Sequence, residues 1–179
     1  MRAVLDANVL YPTILREILT ELAAQGLYQP LWSARILAEW RHAAARLGPD
    51  GDAVAGAEIA LLRDRFRDAE MPDDGVAAID LSFPDPADRH VVEAALAGRA
   101  MLIVTANLRD FPQRMMAGLG LRAVHPDAFL LALFAANPAA VRAAADGALA
   151  KAQALGGDLT LPVMLKKLRL PRLARVLRS

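Results

Sequence analysis

Residues 1–125 predict an α/β domain with a mostly parallel central sheet flanked by helices on both sides, and residues 126–179 predict an α-helical C-terminal extension with a basic end. Three observations carry this reading. Short apolar runs alternate with amphipathic helical stretches as far as Val124. No strand pattern remains after Pro126. The 179 residues, 55% apolar and without cysteine, suffice for a core that needs no disulfide.

The elements follow in order. Arg2–Leu5 is an apolar run too short for a helix, stopped by Asp6. With Asn8, that acid suits an Asx-type turn out of the strand. Ile14, Leu15, Ile18, Leu19 and Leu22 have helical spacing, closed by Gly26. Residues 28–32 form a second strand, and Ser33 caps a helix over about 34–47. Gly48-Pro49-Asp50-Gly51 is a break, followed by a charged helix over about 53–69 and a loop over 71–75. Residues 78–83 alternate as a third strand. Asp85 as cap, Pro86 in the first helical position and Gly98 as terminator delimit the next helix. A strand over 100–104, a short helix over 112–118 and a strand over 121–124 complete the domain. Beyond it, Asn137-Pro138 opens an Ala-rich helix broken at Gly156-Gly157, and 160–179 forms short basic helices interrupted at Pro171.

Charge is balanced overall, with 21 Lys+Arg against 20 Asp+Glu, but unevenly placed. No acid follows Asp158, whereas Lys166, Lys167, Arg169, Arg172, Arg175 and Arg178 do. The end of the chain is therefore locally cationic. The longest apolar run, Ala128 to Ala136, is too short to span a bilayer, and no signal-peptide pattern opens the chain. The expectation is a cytoplasmic protein without membrane association. Neither a P-loop nor a G-x-G-x-x-G occurs, which excludes the common nucleotide-binding classes.

In open α/β sheets chemistry concentrates after the carboxyl ends of strands. Asp6 and Asn8 follow the first strand; Thr105, Asn107 and Asp110 follow the strand over 100–104. Asp88 falls near the centre of the stripe of Val91, Val92, Ala95 and Leu96, so it reads equally as a first-turn cap and as a ligand. Glu39 lies at the edge of its helix's apolar stripe, beside Arg35 and His42. Four converging carboxylates would repel by about 4 kcal/mol per close pair at an intermediate dielectric, so such a cluster needs a cation. Oxygen donors alone select Mg²⁺ or Mn²⁺, whose chemistry is most often hydrolysis or transfer at phosphate. His42, His90 and His125 have no mutual spacing of a metal pair and are not expected to be catalytic.

Val4-Leu5-Asp6-Ala7-Asn8-Val9-Leu10, Ile36-Leu37-Ala38-Glu39-Trp40, Asp85-Pro86-Ala87-Asp88 and Ile103-Val104-Thr105-Ala106-Asn107-Leu108-Arg109-Asp110-Phe111-Pro112 together resemble the PIN-domain nucleases, and within them the VapC-like toxins of type II toxin-antitoxin systems. The resemblance runs over residues 2–125. It implies a PIN-like fold and endoribonuclease activity with one or two Mg²⁺ or Mn²⁺ ions, leaving a 5′-phosphate and a 3′-hydroxyl. It implies Asp6, Glu39 and Asp88 as catalytic metal ligands, with Asp110 in the fourth position. The commonest family pattern has an Asp two residues after the Thr, where this chain has Asn107, so that position is open between Asn107 and Asp110. Asn8, Thr105 and Asn107 would support the ligands. Arg109, Lys166, Lys167 and Arg169 are candidates for substrate phosphate, although an antitoxin-binding or solvated face explains the basic end as well. The partners implied are RNA, a cognate antitoxin and a second copy in a homodimer. The alternative is a catalytically weakened PIN module that binds RNA or a protein without cutting. A haloacid-dehalogenase-like phosphatase would need an Asp at the position of Asn8.

Overall fold

The computed structural model describes residues 1–75, 86–156 and 158–178. In chain order the elements are β1 (Arg2–Leu5), α1 (Ala7–Leu10), α2 (Thr13–Ala24), β2 (Gln29–Ser33), α3 (Ala34–Ala45), α4 (Pro49–Arg65), β3 (Glu70–Met71), α5 (Arg89–Ala97), β4 (Leu102–Val104), α6 (Gln113–Gly118), β5 (Arg122–Val124), α7 (Pro126–Ala136), α8 (Pro138–Ala154), α9 (Leu161–Lys167) and α10 (Pro171–Val176). Single 3-10 turns stand at Pro86–Asp88 and Leu108–Asp110. The chain forms two compact units, Met1–Tyr11 with Tyr28–Val124, and Pro12–Leu27 with His125–Ser179. The sequence alone expects a contiguous division at residue 125 and so counts the first long helix, α2, with the sheet.

The first unit contains a five-stranded, all-parallel sheet in the order β3-β2-β1-β4-β5. In register, Val4 lies opposite Leu31 on one side and Ile103 on the other. Consecutive residues Ala3, Val4 and Leu5 are all buried, as are Leu102, Ile103 and Val104. Unbroken apolar runs, rather than alternation, are what parallel strands without a solvated face require. Pro30 is tolerated in β2 because β3 pairs only with Trp32 and Ser33, beyond it. Helices α3 and α5 pack on these strands.

Several boundaries differ from expectation. Asp6 does not merely turn the chain: its carboxylate accepts from Ala7 N at 2.7 Å and caps the single helical turn α1. The charged helix starts at Pro49 rather than near residue 53 and ends at Arg65 rather than 69. Gly48, at φ 117°, makes the turn, and Pro49 is preset for the first helical position. The loop expected over 71–75 begins inside an edge strand, because Glu70–Met71 extends β2 pairing outward. The expected strand over 78–83 and the Asp85 cap lie outside the described residues. Gly98 ends α5, but the left-handed residue is Arg99, at φ 48°. Gly98 answers to packing instead, since a Cβ there would fall 2.5 Å from Leu31 Cδ1.

The second unit is all helical. Helix α8 packs against α2, α7 and α9, and α10 against α7 and α9. Leu15, Ile18, Leu19 and Leu22 of α2 are buried, and so are Val141, Ala144, Ala145 and Ala148 of α8. The alanine stripe admits α2's larger side chains, which explains the enrichment seen in sequence. Asp127, buried in α7, accepts from Arg172 N and Leu173 N at 3.0 Å each and caps α10, whose first residue is Pro171. His125 caps α7 through Nδ1, which accepts from Asp127 N at 3.2 Å. Burial pulls its pKa below the usual imidazole value, as an accepting, neutral ring requires. Lys166, Lys167, Arg169, Arg172, Arg175 and Arg178 are all exposed. Among the described residues no helix is long and apolar enough to cross a membrane.

Candidate active site

The strand order places the topological switch point between β1 and β4: the chain goes from β1 to β2 on one side and reaches β4 on the other. Crevices at the carboxyl ends of strands open at such points. The residues that follow these two strands are Asp6 and Thr105, locked in place by Asp6 N donating to Val104 O (3.1 Å) and Thr105 N donating to Val124 O (3.0 Å).

Asp6 is 6% exposed and Thr105 fully buried. The Thr105 hydroxyl donates to Asp6 Oδ2 at 2.7 Å, and Asn8 Nδ2 donates to the same oxygen at 2.6 Å. Asn8 Nδ2 also reaches Thr105 Oγ1 at 3.0 Å, while Asn8 Oδ1 accepts from Ala106 N at 2.9 Å. Asn8 thus ties the end of β1 to the segment after β4. Burial raises the Asp6 pKa above 3.8, against the lowering by the Thr105 and Ala7 hydrogen bonds; the Glu39 charge raises it further and His90 lowers it. Glu39, on α3, and His90, on α5, therefore both share the field of Asp6.

Glu39 Oε1 lies 3.6 Å from Arg35 Nε and 3.3 Å from His90 Nε2. Its side chain is 41% exposed, that of His90 only 2%. Asp88 is half-buried on the turn before α5 and makes no capping hydrogen bond with its side chain. It ends the single 3-10 turn over Pro86–Asp88 and directly precedes the first residue of α5. Glu93, a buried acid of α5, is paired with Arg89 at 2.8 Å. After β4, Asn107 N donates to Thr105 Oγ1 at 3.1 Å, and Asn107 Nδ2 donates to Asp110 Oδ2. Asn107 and Asp110 thus form one hydrogen-bonded unit attached through Thr105. Arg109 is exposed beside them.

Asp6, Asn8 and Thr105 are joined directly, Glu39 is coupled to Asp6 electrostatically, and Asp110 is reached through Asn107. Among the described residues no three His, Asp or Glu side chains are already spaced to hold one ion. The donor set nonetheless fits a divalent cation. A buried carboxylate with a second carboxylate raising its pKa gains from a positive charge. His90, which the sequence alone reads as non-catalytic, lies two residues after Asp88 on α5's buried face and within 3.3 Å of Glu39.

Residues 2–109, over half of the chain, match the family described as PIN domain. The chain belongs to the PIN-domain family. The match to the PIN domain includes Asp6, Glu39, Asp88, Thr105 and Asn107 and stops one residue short of Asp110. A stretch of 44 residues is 50% identical to "Putative ribonuclease VapC50" of Mycobacterium tuberculosis (strain ATCC 25618 / H37Rv), covering 25% of this chain and 26% of that protein. The chain therefore aligns with about a quarter of that relative's length. No solved structure matches this PIN protein significantly.

Proposed function

We propose that this PIN protein is a divalent-metal-dependent endoribonuclease acting as the toxin of a toxin-antitoxin pair, with RNA as substrate and a cognate antitoxin protein as its restraint. One observation carries the reading: a buried carboxylate, Asp6, stands at the carboxyl end of the central strand with its pKa raised by burial and held by Thr105 and Asn8. Membership of the PIN family and the name of the partial relative support the same reading. Asp6, Glu39 and Asp88, with Asp110 or Asn107, would hold Mg²⁺ or Mn²⁺. When bound, such an ion supplies Lewis-acid stabilisation of charge on the phosphate and a more acidic water.

The remaining work falls to the chain. Thr105 and Asn8 each donate to Asp6 Oδ2, which fixes the carboxylate's rotamer and spreads its charge. Asn107 orients Asp110. Arg35 and Arg109 are exposed cations beside Glu39 and Asp110 and would contact the RNA backbone. Hydrolysis in line would leave a 5′-phosphate and a 3′-hydroxyl. Two copies are expected to associate, as in the VapC-like proteins this chain resembles.

The test is cleavage of a labelled mixed RNA pool by the purified chain with Mn²⁺ or Mg²⁺ against EDTA, beside Asp6→Asn. Cleavage that needs the metal and falls at least about 10²-fold in the variant is expected, in line with losing an electrostatic group at the reacting centre. Equal cleavage by the variant removes Asp6 from the mechanism. Salt-sensitive RNA binding without any cleavage replaces the nuclease with a binding module.

A further inference from the structure

We propose that His90 is a nitrogen ligand of the cation site, its Nε2 forming with Glu39 Oε1 a two-donor clamp that gives the site a preference for Mn²⁺ over Mg²⁺. The proposal rests on the metal-dependent reading above and adds to the acids a donor of different chemistry.

The ring is fixed by its other nitrogen. His90 Nδ1 lies 2.7 Å from Ala87 O, and a carbonyl can only accept, so Nδ1 carries the hydrogen. In the neutral ring Nε2 then presents a lone pair. This is how ligating histidines are held, with one nitrogen donating to a carbonyl so that the other is aimed. Nε2 is closed to water and makes no hydrogen bond among the described residues. Its neighbour is Glu39 Oε1 at 3.3 Å, within ion-pair range but without hydrogen-bond geometry. A lone pair facing a carboxylate oxygen at this distance is unfavourable unless a proton or a metal ion lies between them, and the same geometry that admits the proton admits the ion. Adjacent donors of an octahedral ion, each about 2.1 Å from it, stand about 3.0 Å apart, close to the separation found here. Glu39, part-exposed, is the side from which an ion reaches the pair, and Asp6 is the further carboxylate whose charge is felt there.

The consequence is selectivity. An all-oxygen site suits Mg²⁺ and Mn²⁺ alike, whereas imidazole favours the transition metals, along the order in which affinity rises from Mn²⁺ onward. The acids alone do not predict this preference.

The experiment is electron spin-echo spectroscopy of Mn²⁺ bound to the full chain, with affinities for Mn²⁺ and Mg²⁺ measured by calorimetry. Nitrogen coupling that changes when histidine is labelled with ¹⁵N, persists in His42→Gln and disappears in His90→Gln is the expected result. The Mn²⁺ affinity of His90→Gln should fall about tenfold or more, and that of Mg²⁺ less. Should His90→Gln not fold, the labelled double variant His42→Gln/His125→Gln decides the matter, because His90 is then the single histidine in the chain. Mn²⁺ that binds, depends on Asp6 and shows no histidine nitrogen overturns the clamp and leaves the metal-dependent nuclease standing. Failure of the wild type to bind Mn²⁺ or Mg²⁺ overturns both.

Discussion

Asp6 is kept where a carboxylate is costly, and that cost has a sign that can be measured. Its folded pKa is raised above 3.8, chiefly by burial. A group raised in this way contributes stability below its unfolded pKa and loses it as pH rises through the folded value. In metal-free protein, Asp6→Asn should therefore gain stability relative to the wild type as pH is raised above 3.8, followed as the difference in melting temperature across a pH series. Mn²⁺ should raise the melting temperature of the wild type at neutral pH and leave that of the variant unchanged. A difference that is flat with pH would mean that the hydrogen bonds from Thr105, Asn8 and Ala7 offset the burial completely. At the same scale, Gly98 ends α5 as the sequence predicts, but the left-handed backbone falls on Arg99. Gly98→Ala should destabilise by about 1–3 kcal/mol, because its Cβ must displace Leu31 and Met71. Arg99→Gly should stabilise by up to about 1 kcal/mol, since φ 48° strains any residue with a side chain. Denaturant midpoints of the two variants check both signs.

At the scale of elements, short helices survive through the partners of their ends. Helix α10 has six residues, too few to stand alone, and its first turn donates two backbone N–H groups to the buried Asp127 of α7. Asp127→Ala should cost about 2 kcal/mol, read from chemical denaturation, because both donors and the helix's positive end lose their acceptor. A cost near zero would show that water replaces the carboxylate. The sequence marks Pro171 as an interruption, and it is one. What it does not reveal is that the acid closing this gap lies 44 residues earlier in the chain, since capping across elements leaves no local periodicity. The start of α4 is a similar case: Gly48-Pro49 reads as a break, yet Gly48 makes the turn and Pro49 begins the helix.

At the scale of the whole molecule, the basic end of the chain is a set of six exposed cations on an otherwise apolar, packed pair of helices. If these cations hold RNA phosphates, neutralising Lys166, Lys167 and Arg169 together should reduce the log-log salt slope of single-stranded RNA binding by about 2, with little change in melting temperature. An unchanged slope would assign the face to the antitoxin or to solvent.

Much of this protein can be read without coordinates. The parallel sheet, four of its strands, the residues that follow β1 and β4, and the helical, basic second part are all legible, because apolar runs, helical spacing and Gly-Pro punctuation are local signals. The candidate acids are legible one by one, from their places after strands and on helices, and not as a set. Three features depend on residues far apart in the chain meeting in space: the two-residue strand β3, the assignment of α2 to the helical unit, and the union of Asp6, Asn8 and Thr105. His90 belongs with them. A histidine two residues after an acid is ordinary in sequence, and only packing that buries its ring beside Glu39 gives its lone pair a task.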